Sequence, residues 1–358
     1  MENISVNELV ESSSSELPRE IKLSFAKSVL STKKDPSEAK IEFGELVNKL
    51  NMKKQQNVIN ATGTVLHTNL GRSPINISYS GTYTNIEYDL TKSSRGSRNS
   101  YLTESMKTLL SAENVTFVKN NASSLYLTLL TIAKKFNKDS VIVSRGEIIE
   151  IGGSYRLPDI IFETGMNLIE VGTTNKTKIK DYRDALKINP NAILLKVHRS
   201  NFSISGFTEE VDIKQLATLK SENETLLIHD LGSGLVADKA FLSKHNLTMF
   251  EKEPRVQQSL KNGADIVMFS GDKLFGSLQS GIIAGKANII ETIKSFSIFR
   301  TYRCSPVVLY ELQATTDFYI QKSEQKIPFW NLLTKTYEEL EFRVRKISKN
   351  ASCKHTIL

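Results

Sequence analysis

Cysteine is nearly absent from this 358-residue sequence. Its two residues, Cys304 and Cys353, can form neither a disulfide framework nor a CxxC site, and they fit a reducing, cytoplasmic setting. Long apolar runs are missing too: stretches such as Ile266–Phe269 fall far short of a bilayer span, which argues against a membrane protein. The polar, acidic N-terminus has no basic flank or apolar core, so it does not read as a secretory signal. Five scattered histidines without an HExxH or a Cys/His cluster predict no metal site. There is no GxxxxGK[ST] and no GxGxxG after a strand-like run, which sets aside a P-loop or dinucleotide fold. The run Asp230–Gly234 misses a nucleophile elbow because Leu231 stands where its first glycine belongs.

What is present is ordinary globular material: 39% hydrophobic residues, 24% charged, with 16 Phe and 11 Tyr available for a core. The formal net charge is +8, and residues 320–358 hold eight Lys/Arg against four Asp/Glu, which suits either a polyanionic partner or simply a solvated basic face. Residues 1–55 read as a separate helical module. Ile21, Phe25 and Val29 recur at four-residue spacing; after Pro36 comes a second apolar set, Ile41, Leu46, Val47 and Leu50, with Lys33, Lys34, Lys53 and Lys54 around them. From residue 56 to about 325 the texture changes. Seven short apolar runs (115–118, 141–143, 168–171, 193–197, 226–228, 266–269 and 281–284) alternate with helix-length segments. This predicts an α/β domain with a mostly parallel central sheet covered by helices. Residues 286–325 read as helices, and a further helix is expected from about Tyr337.

In such sheets chemistry collects at the carboxyl ends of the strands. Three ends carry complementary groups. One runs into Ser270-Gly271-Asp272-Lys273, where a lysine on a tight turn beside a buried strand is held toward its neutral form, as a Schiff base needs. Another ends in His229-Asp230, and a carboxylate there can keep a pyridinium nitrogen protonated. The third ends in Asn120-Asn121-Ala122-Ser123, a small polar loop opening a helix and offering N–H groups to a phosphate. Singly, each has a bland reading: a surface turn, a strand-end cap, an N-cap. Together, in this order, they are the handles that pyridoxal 5'-phosphate (PLP) requires.

Six blocks sharpen this reading: INATGTVLHTNLGRSPI (59–75), VIVSRGEIIEIGGSYRLPD (141–159), EVGTTNKTKIKDY (170–182), LLKVHRSNFSISGFTEEV (194–211), HDLGSG (229–234) and FSGDKLFGSLQSGIIAG (269–285). They resemble the bacterial selenocysteine synthase family, the L-seryl-tRNA(Sec) selenium transferases, over residues 57 to about 320. The resemblance implies a fold-type-I PLP-dependent transferase that converts seryl-tRNA(Sec) to selenocysteinyl-tRNA(Sec) with selenophosphate, by way of a dehydroalanyl-tRNA. It implies Lys273 as the Schiff-base lysine with Asp272 as its assisting neighbour. Asp230 becomes the pyridinium partner, and Asn120, Asn121, Ser123 and Ser270 become cofactor contacts. Arg72, Arg300 and Arg303 are implied as the selenophosphate site; the last two, three residues apart, would share a helix face if that stretch is helical. The N-terminal module would touch tRNA, and the chain would form a homo-oligomer, a ring of five dimers in bacterial relatives.

The sequence departs from the family where Gly276-Ser277-Leu278-Gln279 replaces Gly-Gly-Pro-Gln and where Cys304-Ser305-Pro306 replaces Val-Asp-Lys. Family members continue into a small C-terminal domain, of which residues 326–358 are expected to be only the opening. Phe329, Trp330, Leu332 and Leu333, with Leu340, Phe342 and Val344, would then be partly buried between chains, beside an open cleft. Two other functions use the same features: PLP-dependent elimination on a free amino acid or sugar acid, and a catalytically silent tRNA-binding relict.

Overall fold

The computed structural model describes residues 4–32, 35–153 and 155–350, with no side-chain description for 348–350. Lys33, Lys34 and Cys353 lie outside the described residues. The chain divides into two compact units, Met1–Ala61 and Thr62–Leu358.

The first unit holds helices α1 (Val6–Glu11), α2 (Arg19–Thr32) and α3 (Pro36–Lys53). Asp35 caps α3 by accepting from the Ser37 and Glu38 N–H groups, and Pro36 sits in the first turn, where its missing N–H costs nothing. The buried stripe of α3 is Ala39, Phe43 and Val47, packed on Leu9, Ala26 and Val29. Ile41, expected inside, is 64% exposed, because the 39/43/47 spacing turns it outward.

The second unit is built on a seven-stranded sheet. Its strands are β1 (Asn114–Val118), β2 (Ser140–Ser144), β3 (Asn167–Val171), β4 (Ala192–Val197), β5 (Leu227–Gly232), β6 (Ile266–Ser270) and β7 (Gly281–Gly285). Each grows from one of the seven apolar runs. Their order is β1-β7-β6-β5-β4-β2-β3, and only β7 runs antiparallel to its neighbours. The carboxyl ends of the other six therefore share one edge with the start of β7. Helices cover the sheet, and the described core strands are apolar on both sides, as a doubly covered sheet requires.

Two differences from the sequence reading matter. Strand β5 does not stop at Ile228 but continues through Gly232, so His229 and Asp230 lie within it and face opposite ways. His229 turns to Ser259, 3.1 Å away, and burial holds its imidazole neutral. The segment 327–330 finds its cover within its own chain. Ile327, Phe329 and Trp330 are buried on the core of their own chain, whereas Leu332, Leu340 and Phe342 are exposed.

Candidate active site

A loop and a helix begin where β1 ends. Asn120 caps helix α4 (Asn121–Lys135), its side chain accepting from the Ser123 N–H at 2.8 Å. The Ser124 N–H returns to the Asn120 carbonyl, so the first-turn N–H groups of Asn121 and Ala122 are left at the positive end of a fifteen-residue helix. The start of β7 presses on this loop. A Cβ at Gly281 would collide with Ser124 Oγ and the Asn120 carbonyl, so glycine is needed for the approach.

Asp230 projects from β5 into the same edge. Its Oδ1 accepts from Asn121 Nδ2 at 2.7 Å and from the Gly232 N–H at 3.1 Å, while Oδ2 accepts no hydrogen bond from the described residues. Burial raises its pKa, and the two hydrogen bonds and the Lys273 charge only partly offset this. The carboxylate is thus oriented, dry and short of a cationic partner.

Lys273 stands on the turn after β6. That turn is tied down on every side. The Leu274 N–H donates to the Ser233 carbonyl at 3.0 Å, and the Gly276 N–H closes on Lys273 O. Tyr319 Oη reaches the carbonyls of Leu274 and Phe275 at 3.3 and 3.0 Å. Burial depresses the Lys273 pKa, and nearby Asp230 works against it. Asp272 is clasped by residues 72–73: Ser73 N–H donates to its carbonyl at 2.9 Å and Arg72 Nε lies 3.4 Å from Oδ2, a charge contact without hydrogen-bond geometry. Desolvation raises the Asp272 pKa against the Arg72 charge.

Lys273, Asp230, Asn120, Asn121, Ser270, Asp272 and Arg72 line one cavity of about 200 Å³. Ser123 does not reach it; its N–H is used by the cap. Arg300 and Arg303 lie elsewhere, lining an adjoining cavity of about 590 Å³ with Lys119, Arg95 and Arg98. Gln279 belongs to both. The two arginines do not share a helix face, because the short helix Phe299–Tyr302 ends before Arg303, whose backbone is extended. They meet in the cavity through the turn that leads to Ser305, which caps the helix Pro306–Ile320.

Sequence reasoning passed over four residues that line the Lys273 cavity: Tyr155, His198, Ser200 and Gln279. His198 follows β4 directly, so the strand-end rule that singled out the other three ends would have found it. Tyr155 comes from a short ribbon, Glu150–Ile151 with Tyr155–Arg156, that no apolar run announces.

A family model described as L-seryl-tRNA selenium transferase matches residues 58–357. The chain belongs to this family. It is 42% identical to the L-seryl-tRNA(Sec) selenium transferase of Alkaliphilus oremlandii, over 80% of the chain and 62% of that relative. The enzyme of the same name from Haemophilus influenzae is 41% identical, over 86% and 67%. The chain thus spans about two thirds of these relatives' length or slightly less. Among solved structures, D-glucosaminate-6-phosphate ammonia-lyase shares the fold, with a TM-score of 0.50 at 19% identity, over 62% of this chain and 57% of that one. The fold-type-I architecture is therefore common to both. No helix of the described residues is long and apolar enough to cross a membrane, and no described His/Cys/Asp/Glu group could hold a metal.

Proposed function

We propose that this chain converts L-seryl-tRNA(Sec) to L-selenocysteinyl-tRNA(Sec), with PLP as cofactor and selenophosphate as donor. The observation that carries the reading is the convergence of Lys273, Asp230 and the start of α4 on one small cavity beside an arginine-lined one. The residues suit PLP. Asn121 Oδ1 is buried without a hydrogen-bond partner among the described residues, and Asp230 Oδ2 is likewise unengaged. The N–H groups opening α4 suit a phosphate, Asp230 a pyridinium, and Lys273 a carbonyl carbon. Bound there, PLP would supply an electron sink for charge that develops at the substrate α-carbon.

The chain's own groups do the rest. The depressed pKa of Lys273 increases its neutral fraction, so its Nζ can take the α-proton. The tightly hydrogen-bonded turn holds that amine in place. Arg300 and Arg303 offer planar donors to the oxygens of a phosphate-like donor, and Arg72, paired with Asp272, sits on the Lys273 side. The helices of residues 1–55 would contact tRNA, and the protein would assemble as a homo-oligomer in the cytoplasm.

The direct test is selenium transfer from selenophosphate to seryl-tRNA(Sec), run beside free serine. Transfer to the tRNA ester alone supports the reading. Turnover of free serine or a sugar acid favours the elimination enzyme, and no turnover with tRNA retained favours the silent relict. A second expectation separates the two basic regions. Arg300→Ala or Arg303→Ala should slow the donor half-reaction about 10²-fold or more with tRNA affinity nearly unchanged. Deleting residues 1–55 should weaken tRNA binding and flatten its salt dependence. Filter binding across a salt series checks both, and equal loss of affinity in both variants would make the arginines backbone contacts.

A further inference from the structure

One cluster in the Lys273 cavity has no task in the chemistry above. The backbone N–H of His198 donates to the Asp230 carbonyl at 2.8 Å, so the residue is fixed to β5. Its Nε2 lies 3.0 Å from Glu253 Oε2, and Ser233 Oγ hydrogen-bonds the other carboxylate oxygen. Ser233 in turn accepts the Leu274 N–H through its carbonyl, beside Lys273. The ends of β4, β5 and β6 are thereby joined through one imidazole and one carboxylate. Both side chains are mostly buried, 22% exposed for His198 and 17% for Glu253. With Nε2 engaged, Nδ1 of His198 has no hydrogen-bond partner among the described residues, in a residue that lines the cavity.

We propose that His198 is a catalytic residue for departure of the substrate β-hydroxyl, delivering a proton to it from Nδ1, with Glu253 as its positioning partner. The proposal rests on the functional reading above. Loss of water from a seryl ester breaks the Cα–H and Cβ–O bonds. The Cα–H pair becomes the new Cα=Cβ bond, and the Cβ–O pair leaves with oxygen. Hydroxide leaves poorly, whereas a proton delivered to that oxygen releases water. Lys273 gains the Cα proton and His198 loses one, so the site returns to its starting state by proton exchange with solvent. No oxidant or reductant is involved.

The other candidates for this donor are already used or too weakly acidic. Lys273 takes the α-proton, Asp272 is held by Arg72, and burial raises the Tyr155 phenol so far that it holds its proton firmly. With Nε2 on the Glu253 carboxylate and Nδ1 unengaged in a residue that lines the cavity, His198 is placed to hand a proton to a leaving oxygen. The titratable groups facing His198 are Glu253, Asp230 and His229, with Lys273 in the same cavity.

The test uses the full chain in two forms. In the cofactor-free chain, Glu253→Gln should displace the His198 ring resonances in histidine NMR spectra, because the carboxylate on Nε2 is lost. The resonances of His67 and His245 should stay in place. In the PLP-loaded enzyme with seryl-tRNA in deuterated water, His198→Gln should slow water loss by about 10²- to 10⁴-fold. It should still exchange the Cα proton at close to the wild-type rate, and added imidazole should restore elimination to His198→Ala. Unmoved His198 ring resonances overturn the pairing. Equal loss of exchange and elimination, or no rescue by imidazole, overturns the donor role. If wild type exchanges no Cα proton on seryl-tRNA, the functional reading itself fails and takes this inference with it; the other failures leave that reading standing.

Discussion

Lys273→Ala is expected to fold normally and yet lose both the borohydride-reducible cofactor linkage and all measurable turnover. The two halves of this result have different causes. The amine sits in a mostly buried cavity where desolvation lowers its pKa from the ordinary 10.5, so its charged form is a cost to the folded chain. That cost is full below the lowered folded-state pKa, where the amine is charged in both states. It fades as pH rises toward 10.5, where the unfolded chain also loses its proton. Alanine removes the cost, so the variant should be as stable as wild type at neutral pH, with the advantage shrinking in alkaline buffer. The turn itself is held by backbone bonds to Ser233, Ser280 and Tyr319 that do not need the side chain. Function is another matter, since no other described lysine lines the cavity. Asp230→Asn should keep the linkage but lose at least about 10³-fold in rate, roughly 4 kcal/mol of barrier, because a neutral amide cannot hold a pyridinium charged. Melting curves across pH together with borohydride reduction check both variants. A reducible linkage surviving in Lys273→Ala would remove Lys273 from its role.

How far the site was legible depended on which residues sit next to a strand. Each of the seven apolar runs became a strand because continuous Val, Ile and Leu on a doubly covered sheet leaves a plain signature, and the groups just beyond β1, β5 and β6 could be read from it. Asp230 lines the cavity although β5 runs past it, since alternation alone sends it and His229 to opposite faces. Arg303 was harder. Its neighbour Arg300 is helical, but the chain turns extended at Arg303, and nothing in the local pattern announces where a four-residue helix stops. Glu253 is reached only through tertiary structure: it lies in a loop far along the chain and gains meaning from His198, 55 residues earlier. The apolar residues 327–330 were read as a surface in need of a partner, yet their partner is the core of their own unit. Pattern shows that such a face must be covered and is silent about what covers it.

Trp330→Ala should produce the largest loss of stability of any substitution considered, about 3–5 kcal/mol. The indole is fully buried, with ring centroids of Phe329, Phe250 and Phe241 at 4.8, 5.4 and 5.6 Å in edge-to-face contacts. Removing it opens a void among Phe241, Phe250, Phe329 and Tyr319. Against a typical total of about 5–15 kcal/mol, that is a large fraction. The effect should also reach the site. Trp330 Nε1 donates to Tyr319 Oη at 2.7 Å, and Tyr319 donates onward to the carbonyls that follow Lys273. Gly276 makes the link tighter still, since a Cβ there would press within 2.5 Å or so of Ile327 Cγ2. Residues 327–330 therefore buttress the lysine turn. Tyr319→Phe separates the two consequences, because it keeps the ring stacked on Phe275 and deletes only the hydroxyl. It should cost about 1–3 kcal/mol for the polar groups left unpaired. It should nonetheless release PLP faster on dialysis than a surface variant matched for stability. Denaturant midpoints and cofactor retention, measured on both variants, decide the matter. If Tyr319→Phe holds PLP as long as its stability-matched control, the hydroxyl serves the core alone and the buttress has no hold on Lys273.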